Sequence, residues 1–265
     1  MIGQEVLVEK INEITADTMP RSLILIGDVG SGRHTLFNLI CEKIEFPWLD
    51  LTEKITKDII DDIYLKTEPI IYLIDIDSIS VKEENMILKL VEEPLKNAYI
   101  IFIAKAKTTI IPTILNRCQI WELKPYSRDE LIQITGASDD VLNVCSTPGQ
   151  IFSLGDGGYL IKDIQNMCDK IIDHIANARF SNTLTIGNKI AFNNEIDKWN
   201  YDVFIRVLQF TVKDRFIKND DPRLIYAYRV INQLHRDSQI PHVNKQQLFE
   251  NCLYTLRRVF RQDGN

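Results

Sequence analysis

Apolar and polar residues follow two different rhythms along this chain, and the change of rhythm divides it. Over the first 125 residues, short apolar runs alternate with stretches of helical spacing. "SLILIG" leads into a glycine-rich segment, after which Leu36, Leu39, Ile40 and Ile44 recur three or four apart, predicting a helix with one buried face. "PIIYLIDIDSI" has the unbroken apolar character of a strand buried on both faces, and "AYIIFIAKA" follows a helix that Pro94 is placed to end. "CQIWEL" closes the region near Pro125. Strands alternating with helices predict a parallel sheet covered by helices.

Beyond Pro125 no strand pattern continues. Ser127 is placed to cap a short helix that carries Asp129 and Glu130 in its first turn, and a second short helix runs toward "STPGQIFSL". "GDGG", at 155–158, reads as a linker. Past it, Ile161, Ile164, Cys168, Ile171, Ile172 and Ile175 form one helical face. Amphipathic stretches at Tyr201–Phe216, Leu224–Leu234 and Lys245–Phe260 complete an all-α region. The expected organisation is an α/β domain over 1–125, a small helical segment over 126–156 and an all-α domain over 157–265.

Composition narrows the classes. The 265 residues are 45% hydrophobic with a formal charge of -6, which argues against affinity dominated by phosphate neutralisation. Cys41, Cys118, Cys145, Cys168 and Cys252 are far apart and lack metal-ligand spacing, so no metal site is expected and the thiols read as reduced core residues. No secretory signal pattern opens the sequence, and no apolar run approaches the roughly 20 residues that span a bilayer. The expectation is a cytoplasmic protein with no membrane partner.

The glycine-rich segment "GDVGSGRHTL" resembles a phosphate-binding loop between strand and helix. Gly27, Gly30 and Gly32 preserve the backbone cradle, while the usual lysine and hydroxyl residue are replaced by Arg33 and His34. A planar guanidinium is not equivalent to a slim ammonium, and imidazole is a poor ligand for Mg²⁺. Thr35 comes one residue late, about 100° further round the helix. The second strand ends in Asp75 followed by Ile76, where a hydrolytic site carries a water-activating glutamate, and Asp77 is expected further along the same extended chain. Hydrolysis is disfavoured. The loop is either a ligand-free turn or a residual nucleotide site formed by Gly27, Gly30, Gly32, Arg33, Thr35 and Asp75.

Several stretches together resemble the AAA+ subunits of DNA polymerase clamp loaders, and within them the delta-prime type. They are "IGQE" at the start, "EENMILKLVEEP", "IIPTILNRCQIWELKPYSRDEL" with Asn116-Arg117-Cys118 in place of Ser-Arg-Cys, "STPGQIFSL", and "VNKQQLFENCLYTLRR" near the end. The resemblance implies an AAA+ parallel-sheet core, a helical lid and a helical collar that joins other clamp-loader subunits. It implies access to a sliding clamp and to primer-template DNA through the complex. It further implies that Arg117 serves in trans as an arginine finger for a neighbour's ATP, while this chain needs no cofactor and holds ATP or ADP, if at all, without hydrolysing it. Lys105 and Gln150 occupy the positions where the family reads the γ-phosphate. The four-cysteine zinc module of many bacterial relatives is absent. Lys105 with Lys107, and Arg257, Arg258 and Arg261, read as solvated or helix-capping charges. Two other readings stay open, an active AAA+ ATPase and a P-loop adaptor in DNA repair or on a plasmid.

Overall fold

The computed structural model describes residues 1–52, 55–154, 158–177, 201–238 and 243–261. These form two compact units, one from 1–136 with 146–153 and one from 137–145 with the residues from 154 onward.

The first unit is built on five parallel strands, β1 (Ser22–Ile26), β2 (Trp48–Asp50), β3 (Ile70–Asp75), β4 (Ala98–Ala104) and β5 (Gln119–Glu122), in the order β2-β3-β4-β1-β5. Alternation along β1 feeds two cores. Leu23 and Leu25 pack with Leu36, Phe37 and Ile40, whereas Ile24 and Ile26 pack with Ile87, Phe102 and Ile114. Covering both faces is why β1 and β4 contain no exposed residue. Four strands follow the apolar runs of the sequence. β2 does not, because its three residues are exposed and carry no burial signal.

The helices of this unit are α1 (Glu5–Glu13), α2 (Arg33–Ile44), α3 (Lys57–Leu65), α4 (Val81–Glu92), α5 (Pro112–Leu115) and α6 (Arg128–Thr135). Ser80 and Ser127 each complete a capping box, with Glu83 and Glu130, satisfying donors at the starts of α4 and α6. After α7 (Asp139–Leu142), which clusters with the second unit, α8 (Pro148–Phe152) returns to the first. The stretch 126–156 is therefore shared between the units.

The second unit continues with α9 (Gly158–Asn177), α10 (Tyr201–Asn219), α11 (Pro222–Ser238) and α12 (Lys245–Arg261). Of the "GDGG" linker, residues 155–157 lie outside the described residues. The predicted face of α9 is buried from Ile161 to Ile175, and Phe204 meets Phe249 edge to face at 5.5 Å. Arg215 on α10 bridges Asp169 and Asp173, one turn apart on α9. Asp202 pairs with both Arg206 and His235 at 2.9 Å. Burial alone would raise the Asp202 carboxyl, but these two partners hold it below the usual carboxylate range. Arg257, expected among the charges decorating the end of α12, is instead buried at 5% exposure, in register with Leu253 and Phe260. No described helix is long and apolar enough to cross a membrane.

Candidate functional site

β1 delivers the glycine loop to the carboxyl end of the sheet, and α2 starts at Arg33 with its amides facing the loop. Gly30 and Gly32 take φ of +79° and +103°, a left-handed backbone that side chains resist, so the motif is kept for its shape. The Tyr126 hydroxyl donates to the Ser31 carbonyl at 2.8 Å, which steadies the turn. The N-terminal segment is strapped nearby. Buried Gln4 donates to the Lys124 carbonyl at 2.7 Å and accepts from the Lys124 N–H at 2.9 Å.

These elements enclose a cavity of about 730 Å³ at the start of α2, of the size that holds small ligands. Met1, Ile2, Ile134 and Phe152 supply apolar lining, and Tyr126 and the loop residues supply polar lining. His34 and Thr35 are both exposed and both border this space. Thr35 thus remains beside the loop, although it is one residue late for the metal-binding hydroxyl.

Arg33 also borders this space, with its guanidinium held on Asp77. Its side chain is buried and its Nη1 lies 3.3 Å from Asp77 Oδ2. Asp77 is not further along an extended strand, as period-two spacing suggests. The chain leaves β3 at Asp75 and enters a 3₁₀ turn over Ile76–Ser78, where the Asp77 N–H donates to Asp75 Oδ1 at 3.0 Å. Asp77 Oδ2 also accepts the Lys105 N–H at 2.8 Å. One carboxylate therefore ties together the loop helix, the end of β3 and the end of β4. Burial, and then the neighbouring Asp77 charge, push the Asp75 carboxyl above the usual carboxylate range. Ile76 is 2% exposed and packs in the core, where it has no means of orienting water.

The segment "STPGQ" closes against the loop from the other side. Thr147 Oγ1 donates to the Val29 carbonyl at 2.8 Å, Gly149 N–H to the Gly30 carbonyl at 2.9 Å, and Gln150 Nε2 to Val29 at 3.4 Å. Gln150 Oε1 accepts the Ser146 N–H at 2.9 Å. Both side-chain ends of Gln150 are thus engaged within the protein. Nothing in the sequence announces this glycine-to-glycine contact across 119 positions.

Arg117 sits apart from the cavity, between α5 and β5. Buried Ile114 anchors the short helix beneath it, and its Nη1 donates to the Thr113 carbonyl at 3.0 Å. Its Nη2 lies 3.2 Å from Glu92 at the end of α4, with 42% of the Arg117 side chain exposed. Lys107 pairs with Glu122 at 2.8 Å, both side chains about half exposed. The cysteines are free thiols. Burial pushes Cys41 and Cys145 up to about 11 and Cys118 and Cys252 to about 12, so these four are packing residues rather than nucleophiles. No group of three or more metal-ligating side chains occurs among the described residues.

This architecture, a five-stranded parallel sheet with helices on both faces, is shared with solved proteins. A DNA polymerase III gamma subunit-related protein from Thermotoga maritima is similar in fold over 96% of this chain and 100% of its own, with a TM-score of 0.53 at 15% identity. The Thermotoga maritima RuvB Holliday junction branch migration motor aligns over 81% of this chain and 76% of its own, with a TM-score of 0.48 at 16% identity. No curated protein matches in sequence. More narrowly, residues 48–127, from β2 to the start of α6, match the family described as DNA polymerase III, delta subunit. The family match spans less than a third of the chain, and the solved structure shows a shared fold.

Proposed function

We propose that this chain is a delta-prime-like subunit of a DNA polymerase III clamp loader that does not hydrolyse ATP itself and lends Arg117 to a neighbouring ATPase subunit. The observation that carries the reading is the contrast between the two arginines. Arg33, at the chain's own loop, is buried on Asp77, whereas Arg117 is half exposed on a surface ion pair. A surface pair of this kind is worth about 0–1 kcal/mol, so releasing Arg117 to a partner's phosphate costs little. Stabilisation of a phosphoryl-transfer transition state by such a guanidinium accelerates turnover by roughly 10³–10⁵. Two further positions of the hydrolytic apparatus are taken up by internal contacts: Ile76 in the core and Gln150 on Val29.

On this reading the collar of α9 to α12 joins the other clamp-loader subunits, and the sliding clamp and primer-template DNA are met through the complex. The cavity at the loop leaves room for ATP or ADP held by backbone amides, with no cofactor required for the trans role. Co-purification with the replication subunits of the native host tests the assignment. Recovery of this chain with the loader ATPase and the clamp is expected, and its consistent absence from that complex would exclude the role. Purified alone, the chain is expected to show no Mg²⁺-dependent ATP turnover, and turnover abolished by Asp75→Asn would restore the ATPase reading.

A further inference from the structure

Arg33 is the first residue of α2, where a cation would meet phosphate held on the helix amides, yet its guanidinium is committed elsewhere. Asp77 is well placed to keep it. Its Oδ2 receives both Arg33 and the Lys105 N–H, while its buried Oδ1 has no partner among the described residues. The carboxylate is thus under-compensated already, and losing Arg33 would leave a buried charge without its counter-ion. A phosphate arriving at the loop must therefore compete for Arg33 with an acid inside the fold.

We propose that Asp77 is an autoinhibitory residue that withholds Arg33 from a nucleotide in the loop cavity. This rests on reading that loop as a residual nucleotide site, and is independent of the role given to Arg117. The γ-phosphate, which a loop cation would normally meet, then adds nothing to affinity. Asp77 acts through Arg33 and touches no ligand itself. Asparagine at this position keeps an oxygen for the Lys105 N–H while removing the charge that holds Arg33.

The test is equilibrium binding of methylanthraniloyl-labelled ATP and ADP to the full chain in EDTA. In the native protein the two are expected to bind within about threefold of each other, because the terminal phosphate finds no additional charge-assisted partner. In Asp77→Asn, ATP is expected to gain roughly tenfold over ADP, the scale of one hydrogen bond to a charged group. Adding Arg33→Gln to Asp77→Asn is expected to erase that gain. Native protein that already binds ATP tenfold or more tightly than ADP overturns the proposal, and needs no variant to fold. So does a folded Asp77→Asn variant with no ATP preference or no binding, or a gain that persists without Arg33. None of these results would bear on complex assembly or on Arg117.

Discussion

Gly149 and Gly30 meet backbone to backbone, and the meeting can be probed with one methyl group. A Cβ on Gly149 would lie 2.4 Å from Gly30 Cα, 2.9 Å from its oxygen and 3.1 Å from its carbonyl carbon. All three neighbours are main chain, so no rotamer change relieves the overlap. Gly149→Ala must displace α8 from the loop by about 1 Å to restore ordinary contact distances. That movement breaks the 2.9 Å bond from Gly149 to Gly30 and strains the Thr147 contact with Val29. The lost hydrogen bond costs about 1 kcal/mol and the overpacking ~1–3 kcal/mol, for a total of about 2–4 kcal/mol. In a unit of this size the melting temperature should fall by roughly 5–15 °C. Gly136→Ala is the internal control. Gly136 caps α6 at φ +66° with nothing within 4 Å of an added Cβ, so it carries left-handed strain of about 1 kcal/mol and no collision. Thermal unfolding followed by circular dichroism compares the two. A loss in Gly149→Ala no larger than in Gly136→Ala would refute the claim that this close approach fixes α8 on the loop.

Two further outcomes follow from local chemistry. Asp75 has its folded-state pKa raised by burial and by Asp77, so ionising it weakens the fold as pH rises from near its ordinary value of about 3.9 through the raised one. Asp75→Asn should then be at least as stable as the native protein at pH 7, with any advantage vanishing below about pH 4 in denaturant titrations; destabilisation at pH 7 would count against it. Ser127→Ala removes the cap of α6 and should cost about 1 kcal/mol in the same titrations, while an unchanged midpoint would show that Glu130 alone suffices.

Much of the fold could be read from the chain because burial on both faces leaves a plain signature. β1, β3 and β4 are unbroken apolar runs, and the apolar period of α9 reappears as its buried face. β2 escaped because three exposed residues carry no period. The loop itself was legible as a glycine pattern between strand and helix. What happens around it was not. The position of Asp77 depends on the chain leaving β3 two residues earlier than strand periodicity assumes, and the Gly30–Gly149 contact joins residues far apart in sequence through main-chain atoms. Arg257 is legible in part, since its spacing from Leu253 matches the buried stripe of α12, although a charged residue is ordinarily expected at the surface.

The proposed loan of Arg117 to a neighbouring ATPase subunit is open to direct measurement. ATP turnover should be compared in clamp-loader complexes assembled with the native chain and with Arg117→Ala, after confirming equal incorporation and equal melting. Turnover is expected to fall by at least about tenfold in the complex containing Arg117→Ala. Unchanged turnover in a fully assembled complex would contradict it.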